Sequence, residues 1–360
     1  MRKLEFLLPL VLMGLSACSP VQTPTPAQTE SQPTPSPNEP QVLTVMTHDS
    51  FAVSAEVLAA FEQEHNAEVR FISSGDVGTA LNRAILSRDK PIADVFYGLD
   101  NTFLSRALEE DIFSAYSSPL LADIPDVFKL DPLNRVLPVD YGDVCLNYDI
   151  AFFAANGLEP PATLEDLLLP EYRGLLVVEN PAMSSPGLAF LFTTISYFGE
   201  DGYLQYWQGL VDNAVLVVND WETAYYSEFS RWGGSRPIVV SYSSSPPFEV
   251  IYAEQPMETP PTAVVTNPGT CYRQIEFAGV LRGTTNHALA EAWIDFMLSP
   301  HFQEDMPLQM YVFPVNQDAI LADAFVKFLT PPSEPASLDP ILIATNREAW
   351  LQAWTETVLR

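Results

Sequence analysis

Val42-Leu43-Thr44-Val45-Met46 decides the fold through the pattern that it starts. Its residues are apolar or β-branched and read as a buried strand. Residues 54–65 follow with Val57, Leu58 and Phe61 on one side, the spacing of a helix. A strand at 68–72, a helix at 77–88 and a strand at 93–97 complete a β-α-β-α-β run. Strands separated by helices pair in parallel and are covered by those helices, so the predicted class is α/β with mostly parallel sheets flanked by helices. Such open sheets bind ligands outside the carboxyl ends of their strands. Those ends carry Thr47-His48-Asp49-Ser50-Phe51, Ser73-Ser74-Gly75-Asp76 and Gly98-Leu99-Asp100-Asn101, three polar, turn-rich segments that converge on one place.

A second lobe is expected from about Asp143, after Leu137-Pro138-Val139-Asp140-Tyr141-Gly142. It should hold a helix at 163–169 capped by Thr163 and Asp166, a strand at 175–178 and a helix at 186–198 opened by Ser185 and Pro186. Strands at 214–218 and 238–242 come next, and segments 263–265 and 271–280 lead back to the first lobe. An amphipathic helix at 289–298 and a loop at 331–340 precede a final helix with a Thr345/Glu348 capping box. Trp350, Trp354 and Val358 recur there every fourth residue, which makes the two tryptophans packing residues.

Ahead of this body, Arg2 and Lys3, an apolar run at 6–14 and Leu15-Ser16-Ala17-Cys18 resemble the lipobox of a bacterial lipoprotein. The run is shorter than the about 20 residues that a membrane span needs. The reading is a signal peptide over 1–17, lipidation of Cys18, and a Pro-, Thr-, Ser- and Gln-rich tether over 18–41 that cannot pack a core. The chain is then an extracytoplasmic, membrane-anchored lipoprotein of the cell surface or periplasm. Its 46 acidic and 17 basic residues give a net charge of -29, which excludes nucleic acid as a partner for want of a basic patch. Cys145 and Cys271 are the remaining thiols. In an oxidising compartment they form a disulfide or stay as two isolated buried thiols, and the sequence leaves both open.

Seven stretches carry a family resemblance, in order and spacing. They are Thr47-His48-Asp49-Ser50-Phe51, Ala93-Asp94-Val95 running into Gly98-Leu99-Asp100-Asn101, Asp140-Tyr141-Gly142, and Ser184-Ser185-Pro186-Gly187-Leu188, then Trp221-Glu222-Thr223-Ala224-Tyr225, Ser241-Tyr242-Ser243-Ser244-Ser245-Pro246 and Phe313-Pro314-Val315-Asn316. Through them the body resembles the periplasmic thiamine-binding proteins of thiamine ABC importers, within the two-lobed solute-binding class. The resemblance implies a type II periplasmic-binding-protein-like fold, with 42–140 plus 273–345 as lobe 1, 141–272 as lobe 2 and 346–360 as a C-terminal helix. It also implies a monomer without a cofactor that closes on thiamine or thiamine phosphate and hands it to an ABC permease with a cytoplasmic ATPase.

Thiamine carries a fixed positive charge and a flat aminopyrimidine, so its site needs aromatic faces, an anion and directional hydrogen bonds. Trp221, Tyr225 and Tyr242 supply rings, and the resemblance puts Trp221 and Tyr242 at the ligand. Asp49 and Asp100 supply charge, with Asp100 preferred because Asn101 beside it can bond a flat base; Asp76 and Asp140 also follow strands, and any such Asp can instead cap a helix or close a turn. Ser184, Ser185 and Gly187 stand where a helix N-terminus could receive a phosphate. His48 occupies a position where the family usually has tyrosine, and Tyr311 lies near an expected tryptophan. Ferric iron is the main rival ligand, through the adjacent phenols of Tyr225-Tyr226, and a polyamine or other organic cation is another. Four histidines without HExxH spacing, and no GxSxG or phosphate-loop motif, argue against an enzyme.

Overall fold

The computed structural model describes residues 39–359. The signal peptide, the Cys18 lipidation site and nearly all of the tether lie outside the described residues. The strands are β1 (Gln41–Thr47), β2 (Ala67–Ser73), β3 (Val95–Asp100), β4 (Phe113–Ser114), β5 (Leu137–Asp149) and β6 (Leu176–Glu179), followed by β7 (Leu216–Val218), β8 (Ile238–Tyr242), β9 (Thr262–Val265), β10 (Tyr272–Leu281) and β11 (Phe313–Pro314). Gln41, at the end of the expected tether, is thus already in β1.

The main sheet runs β2-β1-β3-β10-β5-β8-β6-β7. β1 is parallel to β2 and β3, as the β-α-β-α-β reading requires, and β6 is parallel to β7 and β8. Between these parallel groups lie the two longest strands, β5 and β10, antiparallel to each other. The first part of β5 pairs with β10, and its last part, from Val144 to Tyr148, pairs with β8. β5 therefore joins one parallel group to the other. The two thiols left open by the sequence are joined as the disulfide Cys145–Cys271, beside the Val144–Tyr272 rung of this ladder.

The helices cover the sheet as their spacing requires. Ser54 caps the helix Ala55–His65 by accepting the N–H of Val57, and Phe61 of this helix meets Trp293 of the helix His287–Leu298 edge to face at 4.8 Å. The C-terminal helix Pro340–Val358 packs Trp354 on Trp207 and Trp350 on Phe192, while its Arg347 lies 4.4 Å over the Phe103 ring. It thereby ties elements that follow β6 to the segment that follows β3.

Several local expectations differ. The last helix starts at Pro340, capped by Asp339, and Thr345 is an interior residue bonded back to the Ile341 carbonyl. Proline at the first turn fits that start, so the helix takes in the end of the expected loop. Segment 163–169 forms a 3-10 turn at Glu165–Leu168, with another following at Pro170–Tyr172, because Asp166 accepts the N–H groups of both Ala162 and Thr163 and Pro170 stops propagation. β3 runs on to Asp100, since β10 pairs along it as far as the Glu276–Asp100 rung. Among the described residues no helix is long and apolar enough to cross a membrane.

Candidate functional site

A cleft of about 330 Å³ opens where the carboxyl ends of β1 and β2 meet the loops after β6, β7 and β8, and the segment at the end of β3, expected to converge there too, contributes no lining residue. Ser185, Trp221 and Tyr242 line it from the β6–β8 side, and His48, Asp49 and Asp76 from the β1–β3 side. Gln274 and Glu276 of β10 form its floor, and Phe248, Met310 and Tyr311 also border it. None of the lining residues is Lys or Arg, whereas Asp49, Asp76, Asp220, Glu222 and Glu276 are acids. An enclosed wall of one sign focuses field, so this cleft favours cations over anions.

One wall is aromatic. Trp221 stacks on Tyr225 at 5.1 Å with ring planes 16° apart, and Tyr242 meets Trp221 edge to face at 6.3 Å. The Trp221 indole N–H donates to Ser241 Oγ at 2.9 Å, which fixes the plane of the ring. The Tyr242 hydroxyl donates to Gln274 at 3.3 Å.

Titrating groups meet at the floor. Tyr97 places its hydroxyl 2.6 Å from Asp140 and 3.0 Å from Glu276. Burial, with the Glu276 charge next, drives the Asp140 pKa far above the usual carboxylate range. Burial opposes ionisation of Glu276 as well, but the charge of His48 and local hydrogen bonds outweigh it and hold Glu276 below its usual value. Of the two carboxyls, Glu276 is the more readily ionised and Asp140 the one that holds its proton more tightly. His48 Nε2 lies 3.7 Å from Glu276. The imidazole fits because Gly98, at φ +94°, has no Cβ to collide with it.

Residues 90–329 match the family of bacterial extracellular solute-binding proteins. The chain belongs to that family. Relatives of this solute-binding protein include the thiamine-binding periplasmic protein of Escherichia coli K12, 31% identical over 324 residues that span 89% of this chain and 94% of the relative. The namesake of Brucella suis is 28% identical over 331 residues, 91% and 95% of the two chains. A solved periplasmic thiamin binding protein superposes with a TM-score of 0.79 at 30% identity, covering 91% of this chain and 99% of its own. A ferric binding protein from Campylobacter jejuni shares the fold, with a TM-score of 0.72 at 18% identity over 88% and 99% of the chains. As a family member this solute-binding protein serves an ABC importer outside the cytoplasm and is not an enzyme.

The residues singled out from the sequence fall in two shells. Asp49, Ser185, Trp221, Tyr242 and Tyr311 line the cleft. The others stand behind it. Asp100 is fully buried, accepting from the Thr102 N–H, the Thr102 hydroxyl and the Ser185 hydroxyl. Asn101 locks β3 to β10 through the Arg273 carbonyl and the Ile275 N–H. Tyr225 supports Trp221 and gives its hydroxyl to Glu249. Ser184 is fully buried at the start of the helix Ser185–Phe198. Gly187 lets that helix press on β6, since a Cβ there would stand 2.5 Å from the Glu179 carbonyl oxygen. The lining residues that sequence reasoning did not single out include Gln274 and Glu276, which stand two apart in β10 and so share one face of that strand.

Asp100 gives a measurable consequence. Burial, opposed by the Ser185 and Thr102 hydrogen bonds, raises its pKa to about 6 from 3.8. A carboxyl that binds its proton more tightly when folded adds stability as pH falls from about 6 to 3.8, and costs stability above that window. Comparison of Asp100→Asn with the parent by urea unfolding should show the parent gaining about 2–3 kcal/mol on the variant between pH 7.5 and pH 4. A constant difference across that range would mean that Asp100 binds its proton no more tightly in the folded chain than in the unfolded one.

Proposed function

We propose that this solute-binding protein captures thiamine, or a thiamine phosphate, in the cleft and delivers it to an ABC importer. The observation that carries this reading is the Trp221–Tyr225 stack facing a cleft whose lining acids are balanced by no Lys or Arg. A cation held over an aromatic face is stabilised by about 0.5–2 kcal/mol, more when desolvated. Trp221, Tyr242 and Tyr311 would supply the faces, Asp49 and Glu276 the charge, and Ser185 with Gln274 the directional hydrogen bonds. Asp100, Asn101, Ser184, Gly187 and Tyr225 would position them. Residues 42–140 plus 273–345 would form one lobe and 141–272 the other, closing over the ligand about β5 and β10 with one ligand per monomer. Lipid on Cys18 would hold the domain at the membrane near its permease.

The same geometry weighs against ferric iron. Paired phenolate ligands would need both hydroxyls of Tyr225-Tyr226 at the site, but Tyr225 is fully buried, does not line the cleft and is engaged by Glu249. Calorimetric titration of the refolded, ligand-stripped mature domain with thiamine, its mono- and diphosphates and ferric ion should show thiamine-type binding at one site per chain. Binding of none of the thiamine forms, or a visible phenolate-to-iron absorption band, would reject the reading.

A further inference from the structure

His48 is the one histidine that lines the cleft, which has no Lys or Arg, and acids from several elements stand near it. Glu276 of β10 lies 3.7 Å from its Nε2. Asp76, the cap of the helix Val77–Leu86, and Asp100 at the end of β3 add their fields, and Asp49 follows it in the chain. Tyr97 of β3 packs its ring against the imidazole at 5.7 Å, and through Tyr97 the cluster continues to Asp140 of β5. The Nε2 atom is buried and has no hydrogen-bond partner in the protein. An imidazole so placed is either a cation that neutralises Glu276 or a neutral ring that leaves Glu276 free for something else.

We propose that His48 is a specificity residue whose proton competes with the ligand's positive charge for Glu276, so that capture of an organic cation expels one proton from the cleft. This inference rests on the cation-binding reading above. In the unliganded protein the imidazolium sits on Glu276, and the cleft is closer to neutrality than its acids suggest. A cation seated against Trp221 raises the local potential, His48 releases its Nε2 proton to solvent, and the neutral ring is left as an acceptor facing the ligand. Burial alone would lower the His48 pKa, but the charge of Glu276, with Asp76 and Asp100 behind it, outweighs burial and raises it. The linkage therefore operates at and below neutral pH. Cations that cannot release the proton are discriminated against in acid, and phosphorylated ligands, whose anionic tail restores the local charge, are less affected.

Thiamine titration of the parent from pH 5 to pH 8 should show affinity falling by about five- to tenfold per pH unit on the acid side. Calorimetry in buffers of different ionisation enthalpy should show release approaching one proton per thiamine at pH 6. His48→Gln should abolish both the slope and the proton release, whatever its affinity for thiamine at pH 8. A slope that persists in His48→Gln would place the effect on the carboxylates and overturn the proposal, as would pH-independent binding by the parent. Imidazole NMR of the unliganded parent reads the pairing directly, with a midpoint above the ordinary histidine value expected. A midpoint at or below that value overturns the proposal whether or not thiamine binds. Absence of thiamine binding at every pH, with a raised midpoint, would instead sink the ligand assignment and leave the His48–Glu276 pair standing.

Discussion

Replacing Cys145 and Cys271 together with alanine should lower the unfolding free energy of the folded body by about 2–5 kcal/mol. The bond closes a loop between residues 126 positions apart, and in the chain-entropy account a loop of that length constrains the unfolded chain strongly. Both residues are buried, so alanine is the cleaner replacement, since serine would leave two hydroxyls needing partners. The β5–β10 ladder continues through the rungs from Val144–Tyr272 to Ala278–Leu137 without the bond, so the fold should persist. Urea unfolding of the double variant, and of the parent with and without reductant, measures the effect. A loss under about 1 kcal/mol would mean that the unfolded chain is already held compact around this crossing.

Trp221→Ala should weaken thiamine binding by about 30- to 150-fold, about 2–3 kcal/mol, while the melting temperature moves little. The indole is only partly buried and contributes a face to the cleft. Its truncation removes the hydrogen bond to Ser241, which keeps Ser245 Oγ at 3.0 Å as a partner. Tyr225 behind it stays anchored by Glu249, so the wall should not collapse. Calorimetry and a thermal melt on one preparation separate the outcomes. Unchanged affinity with a normal melt would make Trp221 a packing residue, and a joint loss of binding and fold would make it part of the core.

The parallel groups were legible because alternating apolar strands and amphipathic helices carry their periods locally. Phe61 announced a buried helix face, and Trp350 and Trp354 announced another. What escaped depends on partners distant in sequence. The length of β3 is set by β10, which meets it through contacts such as Asn101 with Ile275, 174 positions apart. The start of the last helix turned on one Asp-Pro pair read as a loop. The cleft followed the same division. Residues after the strand ends, such as Asp49, and residues in aromatic motifs, such as Trp221, could be picked out, but depth could not. Asp100 and Asn101 looked like ligand groups because both follow an apolar run, yet the chain spends them on Ser185, Thr102 and β10. Glu276 was invisible as a site residue because a lone acid in a strand gives no hint of which face it takes.

The placement of β10 between β3 and β5 also fixes when the molecule can fold. Every strand before it, from Gln41 to Val265, emerges while the centre of the sheet is still missing, and the helix that ties the two parallel groups together comes later still. Pairings of such long sequence separation close slowly, because loop entropy is lost before contacts repay it. A chain threaded through a membrane amino end first would thus reach the far side with its sheet unfinished and remain in a translocation-competent state. The chain must emerge as far as Leu281 before the central strand can be inserted, so the order of the strands favours folding of this body late, after most of it has crossed.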